Sequence, residues 1–167
     1  MLITLLDVKP YFFILVAAIM MSLHSAVGQT NAVVLPGEFG LKLETVRFSK
    51  QKRPSLMVDG LAATIGIADA KDLQLFLDKV IATDDSWQKG PFGVVARDAL
   101  KFLQGAIESY KVTGEVAKAC DLPAMANSKD VYYRVEVRRN SSGYISDAWL
   151  WVIDPKTHLV IYLHEAT

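Results

Sequence analysis

Val131-Tyr132-Tyr133-Arg134-Val135-Glu136-Val137-Arg138 is the stretch that decides the fold. Val131, Tyr133, Val135 and Val137 alternate with Tyr132, Arg134, Glu136 and Arg138. This period of two is that of a strand with one face buried and one face wet. Asn140-Ser141-Ser142-Gly143 follows as a hairpin turn, and a second strand is predicted over Tyr144 to Ile153. Asp154-Pro155-Lys156-Thr157 reads as a further turn, with proline where its fixed φ helps. A third strand then spans His158 to His164, with Leu159, Ile161 and Leu163 on one face and Val160 and Tyr162 on the other. The three segments make an antiparallel meander.

Upstream, the period changes. Leu73, Phe76, Leu77, Val80 and Ile81 recur at spacings of three and four, which predicts a helix over Ala70 to Ala82. Asp69 is placed to cap it, and Asp72 lies in the first turn, where the helix dipole favours negative charge. Asp84-Asp85-Ser86 reads as a solvated break rather than an acid–base pair. Gly90-Pro91-Phe92-Gly93 is a turn, without the glycine spacing or the Lys-Ser/Thr ending of a phosphate loop. A second helix is predicted over Val94 to Val112. Gly105 inside it either weakens the helix or marks a close packing contact. Glu115 to Cys120 adds a short helical turn before Pro123. Leu41 to Phe48 reads as a strand, and Gly60 to Gly66, apolar and small, fits no single assignment.

A helix, then the strand at Val131–Val137, then Trp151-Val152-Ile153-Asp154-Pro155-Lys156-Thr157-His158-Leu159-Val160 resembles the C-terminal half of a PepSY-type domain. In that family a strand ending in Val-Asp runs through a Lys-Thr-Gly turn into the last strand; here the expected glycine is His158. The resemblance implies a small exported or membrane-tethered module of a kind often proposed to inhibit or regulate proteases. The expected fold class is therefore α+β. A strand and two helices pack on a three-stranded antiparallel sheet, in a cystatin-like or PepSY-like layout.

The N-terminal stretch reads as an export signal. Tyr11 to Leu23 is an almost unbroken apolar run, preceded by Lys9, whose charge Asp7 dilutes. Ala26 and Gly28 supply the small-x-small pattern that signal peptidase accepts. The run is shorter than the roughly 20 residues that span a bilayer core, although His24 to Val27 could lengthen it into a retained anchor. The expected organisation is a signal segment over 1–28, cleaved to leave Gln29 first, and one domain over 29–167. The expected location is periplasmic or extracellular, with contact to a membrane only through an uncleaved N-terminal segment.

Composition narrows the function. The 167 residues carry 18 basic and 18 acidic side chains, and 51% are hydrophobic. That suits a globular core, while zero net charge lacks the positive field that nucleic-acid binding needs. Lys50-Gln51-Lys52-Arg53 is too short a basic run to change this. Cys120 is a lone cysteine, so no internal disulfide can form. It reads as a small buried residue or, failing that, as a nucleophile or an intermolecular link. His158 and His164, on one strand, would stand about 20 Å apart and cannot share a metal. No catalytic residue, metal site or cofactor is expected. Asn140-Ser141-Ser142 matches a glycosylation acceptor.

Trp149 and Trp151 are the candidate binding residues. They alternate with Leu150 and Val152, and a strand apolar on both faces is either sandwiched or meets a partner. Tyr133 on the neighbouring strand could extend either arrangement. The leading expectation is an exported, non-enzymatic binding or inhibitory module for an unknown protein or small-molecule partner. The alternatives are a small-molecule domain with a cone-shaped cavity holding an acid or His beside the aromatics, and an exported enzyme using Cys120.

Overall fold

The structure is a computed structural model that describes residues 41–50 and 60–167. All of these belong to the unit that begins at Ala32. The expected signal segment, Met1 to Gly28, lies outside the described residues, as do Gln51, Lys52 and Arg53.

The fold is α+β, built on one antiparallel sheet. Its strands are β1 (Leu43–Lys50), β2 (Gly60–Ala68), β3 (Gln88–Lys89), β4 (Tyr132–Arg139), β5 (Ile145–Asp154) and β6 (Leu159–Ala166), ordered β1-β2-β6-β5-β4-β3. Four helices are described: α1 (Ala70–Phe76, running into a π-helical turn at Leu77–Ile81), α2 (Val94–Ser109), α3 (Thr113–Ala119) and α4 (Leu122–Asn127). The expected three-stranded sheet and two helices are thus corrected to six strands and four helices.

The main addition is β2. Its pattern is hard to read because both its faces are covered. Leu61, Ala63 and Ile65 join the core on the α2 side, and Ala68 and the partly buried Ala62 join the core on the α1 side. A strand buried on both faces loses its polar alternation. Gly66 is there because β1 comes close: a Cβ would lie 2.5 Å from the Thr45 carbonyl oxygen and 2.8 Å from Leu43 Cδ1. β1 carries register shifts on either side of that contact, and bulges of this kind re-aim a strand.

The sheet has a helix on each face. α2 sends Ala96, Ala99, Leu100 and Leu103 onto Tyr133, Leu150, Val152 and Ile161. α1 sends Leu73 and Phe76 onto Trp151, Ile153, Val160 and Tyr162. Asp69 starts α1 as expected, its Oδ1 accepting the N–H groups of Lys71 and Asp72 at 2.9 Å each. Arg97 ties the start of α2 to α4 by donating to the carbonyls of Phe92 and Ala126 and to Asn127 Oδ1. The β5–β6 turn is closed by Asp154, which accepts from the Lys156 N–H and the Thr157 hydroxyl. His158 ends that turn at φ 56°, the left-handed region that favours glycine. Among the described residues no helix is long and apolar enough to cross a membrane.

Candidate functional site

The register of β4, β5 and β6 separates the residues that the sequence groups. Trp149 lies opposite Glu136 and His164, and Trp151 lies opposite Arg134 and Tyr162, all on the α1 side of the sheet. Tyr133 lies opposite Val152 on the α2 side. The structure therefore brings the two tryptophans together and sets Tyr133 apart from them.

Trp151 is a core residue. It is 8% exposed and shares a cluster with Leu73, Phe76, Ile153 and Tyr162. Arg134 crosses its ring at 5.4 Å and pairs with Glu136 at 2.6 Å and Asp84 at 3.4 Å. Asp84 accepts the Ser86 N–H. Hydrogen bonds from Ser86, helped by the Arg134 charge, hold its carboxyl below the usual carboxylate range.

Trp149 is half-buried. His164 stacks on it from β6, with centroids 4.6 Å apart and planes 10° from parallel. Arg138 approaches the ring from β4 at 5.1 Å. Cation–π contact of this kind orients a guanidinium. With a neighbour reaching it from each adjoining strand, the indole acts as a support for Arg138 and His164 rather than as a bare stacking platform.

Tyr133 is a brace. Its hydroxyl donates to Gln88 Oε1 at 2.6 Å and accepts the N–H of Gly93, the residue just before α2, at 2.9 Å. Its ring packs on Phe92 at 4.6 Å. Cys120 is buried; desolvation, with Asp121 beside it, pushes the thiol up to about 11. It stays protonated at neutral pH and offers no thiolate nucleophile. Among the described residues no group of His, Cys, Asp and Glu side chains could hold a metal ion.

A separate concavity lies on the face of the sheet away from the tryptophans. A cleft of about 660 Å³ opens between the second half of α2 and the β4–β5 hairpin. This is a common volume for a small-molecule site. Phe102, Tyr110, Tyr144 and Ile145 give it apolar and aromatic walls, Lys101 and Arg139 give it cations, and Glu165 brings a buried carboxylate. Tyr144 is 73% exposed and Tyr110 37% exposed, high values for large aromatic side chains.

Gly105 sits on the helical wall of this cleft, and a Cβ built there meets no atom within 4 Å. The close packing that a mid-helix glycine suggests is absent. No family model, curated protein or solved structure matches the chain. The cleft is what sequence reasoning missed, because its lining comes from α2, β4, β5 and β6 and has no local spacing. Gly105 is its one signal visible in the sequence.

Proposed function

We propose that this chain is an exported, non-enzymatic binding module that takes a small amphipathic ligand in the cleft between α2 and the β4–β5 hairpin. The observation that carries this reading is Gly105. A glycine inside a helix costs about 1 kcal/mol relative to alanine, and here no packing contact requires it. Its effect is to leave space on the wall of a cleft that two exposed tyrosines also line. Local rules broken without a structural reason concentrate at functional sites. A ligand's apolar body fits against Phe102, Ile145 and the tyrosines, and its polar end fits beside Lys101 and Arg139.

Export is supported by the apolar run Tyr11–Leu23 and the small residues Ala26 and Gly28. Mass measurement of the chain recovered from cell fractions tests it; a cytosolic chain of full mass would count against export. A PepSY-like or cystatin-like layout is supported by α2 lying on the meander β4–β6. It is also supported by His158, whose positive φ falls where the PepSY-type turn carries glycine.

Anilinonaphthalene sulfonate, an aromatic anion that fluoresces in apolar surroundings, is a direct probe of the cleft. Saturable binding at one site per chain is expected. Gly105→Trp fills the space and abolishes that binding while the melting temperature is kept. Trp149→Ala, on the other face, leaves it unchanged. Binding to Gly105→Trp as tight as to the parent chain overturns the assignment.

A further inference from the structure

β4 is covered on its outer side only in part. β3 pairs with Tyr132 and Tyr133 and stops. From Val135 to Arg139, β4 has no strand on its outer side among the described residues. An uncovered edge of this length is a template for another strand.

Two hydrogen bonds fix the phase of that edge. The Gly90 N–H donates to the Val131 carbonyl from the β3 side, and the Asn140 N–H donates inward to Tyr144. Alternation along an antiparallel ladder then turns the N–H and C=O groups of Val135, Val137 and Arg139 outward. Side chains alternate across the sheet as well. Arg134, Glu136 and Arg138 stand on the tryptophan face, and Val135 and Val137 lean on the α2-side core.

We infer that this edge pairs with the same edge of a second copy of the chain, about a two-fold axis centred at Val137. Self-pairing must set outward-turned residues against each other, which leaves few registers. Centring at Val135 sets Val137 against the partner's Tyr133, a position that Gln88 already occupies. Centring at Glu136 sets Glu136 against the partner's Glu136 and Arg134 against the partner's Arg138. Centring at Arg138 sets two arginines face to face. Centring at Val137 sets Glu136 against the partner's Arg138 and Arg138 against the partner's Glu136. Opposite charges directly across a strand pair stabilise it and like charges oppose it. These two contacts also fall at the non-hydrogen-bonded positions, where side chains lie closest. Glu136 and Arg138 are both exposed, and Arg138 is already oriented over Trp149.

Sedimentation of the full chain across a concentration series tests the pairing. A shift from monomer to dimer mass is expected. Glu136→Arg alone and Arg138→Glu alone each remain monomeric. An equimolar mixture of the two variants restores the dimer mass, because each then supplies the charge that the other needs. Association through the apolar run Tyr11–Leu23 would ignore these charges.

Val137→Cys gives a second readout. Cα atoms of a directly opposed hydrogen-bonded pair lie about 5.5 Å apart, within disulfide reach. Mild oxidation should therefore link Val137→Cys into a dimer and leave Val135→Cys largely unlinked. A monomer at every concentration, dimerisation unaffected by either charge reversal, or failure of the mixture to restore the dimer would each overturn the inference.

Discussion

Replacing Gly105 by alanine should make the protein more stable. The residue lies within α2, where glycine costs about 1 kcal/mol relative to alanine through the backbone freedom it loses on folding. A new Cβ meets nothing within 4 Å, so no steric cost offsets the gain. For a domain of this size, about 1 kcal/mol corresponds to a rise of roughly 3–5 °C in melting temperature. In urea, the midpoint should rise by about 0.5 M with the slope unchanged, since the surface exposed on unfolding is the same. Circular dichroism at 222 nm follows both transitions. Extending the series to leucine and tryptophan should lower probe binding step by step without a matching loss of stability. That divergence is the mark of a residue kept for a site rather than for the core. A lower melting temperature for Gly105→Ala would show that the space is filled and would remove the support for the cleft as a site.

The same geometry sets three further outcomes. Trp151→Ala should cost about 3–5 kcal/mol, as for other large core truncations. Trp149→Ala should cost only about 1–2 kcal/mol, for one stacked and one cation–π contact; equal losses in urea melts would refute the division between the two rings. Tyr133→Phe removes the shared partner of the Gly93 N–H and the Gln88 side chain, both of which water can reach, and should cost about 0.5–1.5 kcal/mol, so a variant as stable as the parent would show the brace to be idle. The Cys120 thiol should resist an aromatic disulfide reagent at pH 8 until the chain is unfolded. Its folded-state pKa is raised to about 11, so its contribution to stability is full below the unfolded value and is lost as pH climbs through the window from about 9 to 11. Cys120→Ala should lack that component of the alkaline loss, and identical pH profiles for the two chains would contradict it.

The meander is legible in the sequence because β4 keeps a period of two and the turns on either side of β5 carry Asn140, Gly143, Asp154 and Pro155, the latter turn bounding β6 as well. α1 and α2 are legible because their apolar stripes are wide. β2 is not, because burial on both faces removes polar alternation and Gly66 answers to β1, a segment distant in sequence. α4 is hidden by its brevity and by Pro123 in its first turn. The two tryptophans stand out in the sequence but cannot be told apart there. Which of them α1 covers depends on where that helix crosses the sheet, and periodicity along one strand cannot report that. Tyr133 falls on its own strand face in the alternation, but its hydroxyl partners, Gln88 on the two-residue strand β3 and Gly93 at the start of α2, belong to a segment that no pattern connects to it.

β6 stands at the middle of the sheet, between β2 and β5, although it is the last strand described. Gly60 pairs with Ala166 and Ile67 with Leu159, so strands from opposite ends of the described chain share one ladder. Any shorter stretch that lacks residues 159–166 holds two separate strand groups with no strand hydrogen bonds between them. Such a topology closes late and slowly, because distant segments must meet before any central hydrogen bond forms. During synthesis the two halves of the sheet therefore stay unpaired until residues 159–166 are free to join them.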